Sequence, residues 1–84
     1  LSDTHPNPFS DTARLSLSIQ QPQHGVVAVY DALGRTVATL HDGPMTPDTP
    51  ASMTLDGHML ASGLYVIRVV GETFATTRRV TLVR

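Results

Sequence analysis

Apolar and polar residues alternate along much of the chain, and this period of two is typical of β-strands with one face in water. The clearest case covers residues 12–20, in which the apolar side chains all fall on one face. They are Ala13, Leu15, Leu17 and Ile19. We therefore predict a strand here that buries one of its two faces in a core.

The longest apolar run spans residues 60–70 and is entered through the Ser62-Gly63 corner. Its apolar side chains fall on both faces: Tyr65, Ile67 and Val69 on one, and Leu64, Val66 and Val70 on the other. Only Arg68 interrupts the run, and its valines, isoleucine and tyrosine favour a strand over a helix. We predict a central strand, covered on both faces or nearly so, with the other strands arranged around it.

The same pattern predicts four further strands, at residues 26–30, 35–40, 51–55 and 73–84.

Turn-forming residues separate these strands. Residues 31–34 predict a type I turn with aspartate first and glycine fourth, and residues 71–72 predict a type II′ hairpin loop with glycine first. Residues 21–25 predict another turn. Residues 41–50 contain three prolines and are predicted to form the one long loop.

Together these elements predict an all-β fold, an immunoglobulin-like β-sandwich of six to seven antiparallel strands. We assign residues 1–8 to the end of a linker and a first edge strand, and residues 9–84 to a single domain whose first core side chain is Phe9. The chain begins without Met, shows no signal-peptide pattern and stops on a strand-like run. We therefore expect it to be a piece from the C-terminal end of a longer protein.

Composition excludes several classes of function. The chain has 84 residues, no cysteine and a net charge of −1. Without cysteine there is no disulfide, no cysteine-based zinc site and no thiol catalysis. The balanced charge offers no basic surface for nucleic acid, and the longest apolar run is far shorter than the roughly 20 residues that span a bilayer. The many threonine and serine residues and the single glutamate suit an all-β extracellular module.

The sequence contains no motif for catalysis or for a cofactor. Its histidines lie in different turns or strand ends, without metal-ligand spacing: His5, His24, His41 and His58. The aspartates fall in turns, and no Asp-x-Asp-x-Asp cluster predicts calcium, although a loosely built calcium site stays open. There is no Gly-x-Ser-x-Gly motif, no carboxylate pair and no phosphate loop. We predict a domain that is not an enzyme and needs no cofactor.

Two binding functions stay open at this point. Aromatic rings could stack on sugars, as in a carbohydrate-binding or adhesive module of a secreted hydrolase, although at least two of the rings are expected in the core. They are Phe9, Tyr30, Tyr65 and Phe74. In addition, Arg78, Arg79 and Arg84 form a basic cluster on the last strand, which is either a charged edge that blocks strand pairing or a docking surface for a receptor.

Four segments carry a resemblance to a known family. Residues 6–9 read Pro-Asn-Pro-Phe, residues 29–37 read Val-Tyr-Asp-Ala-Leu-Gly-Arg-Thr-Val, residues 60–68 read Leu-Ala-Ser-Gly-Leu-Tyr-Val-Ile-Arg, and residues 77–84 form a basic, apolar end. In this order and spacing, over nearly the whole chain, they resemble the C-terminal sorting domain, type A, of the type IX (Por) secretion system. Similar immunoglobulin-like repeats also occur in the flagellar hook-capping protein and in cell-surface proteins, which makes a purely structural role a further alternative.

The resemblance implies that the domain directs an exported passenger, located N-terminal to it in the same chain, to the cell surface or the medium. It implies Sec export to the periplasm, recognition by the outer-membrane type IX translocon, and a cut by a sortase-like peptidase near or before residues 1–6. The passenger would then be released or attached to the surface. The resemblance places translocon recognition on these residues: Gly63, Leu64, Tyr65, Arg68, Arg79, Val80 and Leu82.

Overall fold

The structure, a computed structural model, describes residues 6–58 and 60–83. These residues form six strands: β1 (Thr12–Leu17), β2 (Gln23–Tyr30), β3 (Thr36–Met45), β4 (Ala51–Asp56), β5 (Gly63–Gly71) and β6 (Ala75–Leu82). β1 and β4 form a two-stranded sheet, and the other strands form a sheet in the order β3-β2-β5-β6, with every neighbouring pair antiparallel. The predicted all-β sandwich of six to seven antiparallel strands is confirmed.

The core lies between the two sheets and is built from the alternate residues of each strand. β1 contributes the side chains that its sequence pattern predicted, namely Ala13, Leu15 and Leu17. Ile19 lies beyond the end of the strand and packs against the core while only partly buried. From the four-stranded sheet, Val27, Val29, Ile67 and Val69 are fully buried.

β5 lies between β2 and β6, so the prediction of an inner strand is correct. The prediction that both of its faces are covered is wrong. The inward residues Tyr65 and Ile67 are 5% and 0% exposed, whereas the outward residues Leu64 and Val70 are 44% and 41% exposed. The two-stranded sheet packs against one face of the four-stranded sheet, and the other face leaves Leu64 and Val70 exposed.

The long loop predicted for residues 41–50 is also wrong in its first half. β3 continues through Gly43 and Pro44 to Met45, and it pairs with β2 along this length. Pro44 is accommodated because β3 is an edge strand, where a residue without an N–H breaks no ladder on its outer side. The connection to β4 is therefore confined to residues 46–50.

β2 begins at Gln23, inside the turn predicted for residues 21–25. Gln23 is almost buried, and its Oε1 accepts hydrogen bonds from the backbone N–H groups of Glu72 at 2.8 Å and Thr73 at 3.2 Å. Its amide also donates to the hydroxyl of Thr73 at 3.2 Å. A single glutamine thus ties the start of β2 to the β5–β6 hairpin.

The type II′ turn with Gly71 as its first central residue is wrong. The N–H of Gly71 donates to the carbonyl of Phe74 at 2.8 Å, so Glu72 and Thr73 are the central residues of this turn. Gly71 instead allows a close approach: a Cβ at this position would lie 2.5 Å from Oε1 of Gln23 and 2.6 Å from Cε1 of Phe74.

Candidate recognition surface

Strand alternation divides the residues for which translocon recognition was predicted into two sets. Tyr65, Val80 and Leu82 point into the core and are at most 5% exposed. Gly63, Leu64, Arg68 and Arg79 are exposed. In the folded domain, a partner can therefore touch the second set but not the first.

The exposed set lies on the outward surface of β5 and β6. The register places Leu64 opposite Thr81, Val66 opposite Arg79, Arg68 opposite Thr77, and Val70 opposite Ala75. We call the surface made by these eight residues the open face. It continues onto β2, where Tyr30 lies opposite Val66 and Val26 lies opposite Val70.

The outward surface of the two-stranded sheet has a different composition. It consists of Thr12, Arg14 and Ser16 of β1 and Ser52, Thr54 and Asp56 of β4. We call this surface the polar face. Every one of its side chains can hydrogen-bond to water, and none is apolar.

Two arginines supply the charge of the open face. Arg79 lies opposite Val66, two residues from Arg68, so the two guanidinium groups occupy diagonal positions on neighbouring strands, where Cβ atoms are about 7–8 Å apart. Among the described residues, neither side chain has an acidic partner within ion-pair distance. The open face is thus apolar with an uncompensated positive charge.

Gly63 opens β5 with a φ of +154°, a backbone conformation that residues with a side chain rarely adopt. The ring of Tyr65 follows on the inner side, and its hydroxyl donates to the carbonyl of Ala61 at 2.6 Å. Gly63 and Tyr65 together fix the corner from which Leu64 projects outward.

The N-terminal end of the described chain is bound to the outer edge of β6. The amide of Asn7 donates to the carbonyl of Arg79 at 3.1 Å, and its Oδ1 accepts from the N–H of Thr81 at 3.1 Å. The N–H of Phe9 donates to the carbonyl of Thr81, and the carbonyl of Phe9 accepts from the N–H of Val83, both at 2.8 Å. The side chain of Asn7 therefore replaces the backbone of a partner strand.

Phe9 is 1% exposed, which confirms it as a core residue, but it forms a single parallel bridge with Leu82 rather than the predicted edge strand. Residues 1–5 of the segment 1–8, which was assigned to a linker end and first edge strand, lie outside the described residues. The sequence reading missed the role of Asn7. Its position between two prolines, which keep the segment extended, is the one signal that could have indicated a side chain pairing with a strand edge.

The turn between β2 and β3 forms as predicted. The N–H of Gly34 donates to the carbonyl of Asp31 at 3.0 Å, and Oδ1 of Asp31 accepts from the N–H groups of Leu33 and Arg35. The Nε of Arg35 lies 2.8 Å from Oδ2 of the same carboxylate. The hydrogen bond from the backbone of Arg35, helped by its guanidinium and by the N–H of Leu33, lowers the pKa of Asp31 below its ordinary value of 3.8.

One group of described side chains could hold a metal ion. Asp11, Asp56 and His58 each offer a ligand atom within 4.8 Å of the others, and all three are exposed. Nδ1 of His58 lies 3.1 Å from a carboxylate oxygen of each aspartate. These contacts join the three side chains in one exposed polar cluster. The predicted turn or strand-end position is confirmed for His24, the second residue of β2, and for His58, in the turn after β4. It is wrong for His41, which lies within β3, and His5 lies outside the described residues.

The accessible aromatic rings are poorly placed to stack on a sugar. Phe9 and Tyr65 are buried in the core, which leaves Tyr30 and Phe74 as partly accessible rings. Tyr30 ends β2, whereas Phe74 lies beside Gln23 at its start, so the two rings are separated by the length of the strand, about 20 Å. Phe74 lines a cleft of about 640 Å³ with neutral polar neighbours such as Gln20 and Thr76, but it is the cleft's single ring.

The exposed apolar side chains of the open face are of the kind that commonly marks an interaction site. The family comparison is specific: the model described as "Secretion system C-terminal sorting domain" matches residues 3–83. The chain therefore belongs to the family of type IX secretion C-terminal sorting domains. Neither the search of curated proteins nor the search of solved structures found a significant match.

Membership of this family establishes that the domain is a C-terminal sorting signal for type IX secretion, in a family that is not catalytic. It also establishes that the protein is secreted, to the cell surface or the extracellular space. No helix capable of crossing a membrane occurs in residues 6–58 or 60–83.

Proposed function

We propose that the outer-membrane translocon recognises this sorting signal as a folded domain, through its open face. Leu64, Arg68 and Arg79 would make the contacts, with Gly63 setting the corner at one end. Tyr65, Val80 and Leu82 would act from the core by holding β5 and β6 in register. The observation that carries the proposal is the presence of an uncovered apolar surface on a domain whose other outer surface is polar, because exposed apolar patches commonly mark interaction sites.

In this proposal the domain has no catalytic activity and follows a passenger in the same chain. The passenger would cross the inner membrane by Sec export, pass through the periplasm, and reach the translocon with the folded domain attached. A sortase-like peptidase would then cut upstream of the sandwich, so that the passenger is released or attached to the surface. The binding of residues 7–9 to β6 supports a cut outside the sandwich, because these residues are held by backbone pairing and are poor protease substrates.

The test is an export assay in a host with a type IX secretion system, with the chain fused behind a reporter. We expect the variant with Leu64→Thr and Val70→Thr to lower export about ten-fold, as for residues that anchor an interface. Its free energy of unfolding should change by less than about 1 kcal/mol, because both side chains are already exposed and threonine favours strands.

The control places the reverse exchange, of threonine for an apolar residue, on the polar face, with Thr12→Val and Thr54→Val. We expect its export to equal that of the unchanged chain. If the folded variant with Leu64→Thr and Val70→Thr is exported normally, the translocon does not recognise the domain through the open face. Failure of the unchanged chain to export the reporter would contradict recognition of the isolated folded domain.

A further inference from the structure

The two arginines of the open face are kept close together without compensation. Arg68 and Arg79 lie diagonally across β5 and β6, and the side chains around them are apolar or hydroxyl-bearing. Like charges directly opposite each other destabilise a sheet, and diagonal positions are still within reach of long side chains such as arginine. No acidic side chain of the described residues lies within ion-pair distance of either to offset this cost.

Some exposed basic groups elsewhere in the described chain have an acidic partner, although Arg14 on the polar face does not. Arg35 lies 2.8 Å from Asp31, and Nε2 of His24 lies 2.8 Å from Asp42. The chain has seven acidic and six basic residues, so acidic partners are not scarce. The open face nevertheless has none, which means that its charge is directed outward.

We infer that the open face binds a partner protein whose contact surface is apolar and carries aspartate or glutamate carboxylates opposite Arg68 and Arg79. This inference rests on the proposed function and names the chemistry of the translocon surface. Leu64, Val66 and Val70 exclude water around the contact, and a guanidinium group can bind a carboxylate through two parallel hydrogen bonds. Charge pairs across an interface discriminate against wrong partners and set the orientation of the two proteins.

A protein fits this surface better than an anionic membrane does. Electrostatic binding to acidic lipids takes about four to eight clustered basic residues, whereas the open face has two arginines on a chain of net charge −1. The chain also has no tryptophan, a residue enriched where proteins meet the membrane interface.

The test compares charge variants in the export assay described above. We expect Arg68→Glu with Arg79→Glu to lower export of the reporter by at least about ten-fold, because both contacts become repulsive. Arg68→Lys with Arg79→Lys retains the charge and should export several times better than the glutamate pair. Arg14 is an exposed arginine on the polar face that also has no acidic partner within ion-pair distance, and Arg14→Glu should leave export unchanged.

A second measurement reports the partner's chemistry directly. The chain contains no lysine, so Arg79→Lys introduces its only ε-amine. Carbodiimide treatment of cells that express this variant should join residue 79 to an aspartate or glutamate of a translocon subunit, as read by mass spectrometry. Arg14→Lys should give no such link, and neither should the unchanged chain.

Each other result overturns the inference. Normal export of the folded glutamate pair would show that the charges are not recognised, and equal loss in the lysine pair would show that charge is not the property recognised. Binding of the purified chain to vesicles of phosphatidylglycerol but not of phosphatidylcholine, lost in the glutamate pair, would assign the arginines to lipid. If the Leu64 and Val70 variant loses export while the glutamate pair does not, this inference fails and the proposed function stands.

Discussion

The two outer faces of this sandwich are made from strands with the same inward pattern but very different outward residues. β1 and β4 alternate buried apolar side chains with threonine, serine, arginine and aspartate. β5 also buries every second residue, yet its outward positions hold Leu64, Val66 and Val70, interrupted by Arg68. Both faces are exposed to water, but only the polar face consists entirely of side chains that hydrogen-bond to it.

The polar face shows what the fold itself requires. A strand can supply its half of the core with outward residues that are entirely polar, so the apolar side chains of the open face are not needed to build the sandwich. They leave apolar area in contact with water, at roughly 25 cal/mol for each Å² that a partner could have covered. The difference between the faces is therefore best explained by a contact outside the domain, which gives the comparison its functional meaning.

The largest expected effect tests whether β5 really has two unequal faces. Ile67→Ala should lower the free energy of unfolding by about 3 kcal/mol, because Ile67 is fully buried and the truncation leaves a cavity. Val66→Ala, one residue away but outward, should cost less than about 1 kcal/mol. Urea denaturation of both variants measures the difference. Equal losses would mean that the open face is packed against something in solution.

A smaller effect is expected where the N-terminal residues hold β6. Asn7→Ala removes two hydrogen bonds to the backbone of β6 and should cost about 1–2 kcal/mol. Asn7→Asp keeps the acceptor for the N–H of Thr81 but loses the donor to the carbonyl of Arg79. Its free energy of unfolding should therefore lie between those of the unchanged chain and Asn7→Ala. Amide hydrogen exchange should quicken at Thr81 in Asn7→Ala while β1 stays protected. Equal acceleration in β1 would show that both faces open together.

The smallest effect concerns the turn that adjoins the open face at Tyr30. The pKa of Asp31 is lowered below 3.8 in the folded domain, so its carboxylate stabilises the fold at neutral pH. This contribution is lost as the pH falls below 3.8 and through the lowered pKa. The stability difference between the unchanged chain and Asp31→Asn should accordingly shrink under acid conditions. Asp48→Asn, in the β3–β4 connection, is the control, and an identical pH response in it would contradict a specific role for Asp31.

Sequence alternation predicted the inward residues well because burial on one face imposes a period of two on every strand. The side chains of β1 and β4 that were expected in the core are found there, and so are Tyr65, Ile67 and Val69 of β5. The outward side chains of β5, which were also expected to be covered, are not buried. The long loop was predicted wrongly because a proline such as Pro44 interrupts hydrogen bonding only in a strand that has neighbours on both sides. β3 has a neighbour on one side only. Edge position is a property of the assembled sheet, and a local pattern does not contain it.

The candidate site was predictable only in part for the same reason. Alternation separates Tyr65 from Leu64 and Arg68, but it does not say which of the two sets meets the opposite sheet. That depends on which face of the four-stranded sheet is packed against the two-stranded sheet. The contacts of Gln23 and Asn7 were missed because each polar side chain finds its partners on a strand or hairpin near the other end of the chain.

The pairing of Phe9 with Leu82 has a consequence for the order of events during synthesis. Phe9 leaves the ribosome early, but the strand that completes its packing is among the last parts of the domain to emerge. A translation product that stops before Val80 lacks two core side chains and the edge that binds Asn7, so it cannot close the sandwich. Residues near both ends of the described range are therefore needed to assemble the sheet edge at β6.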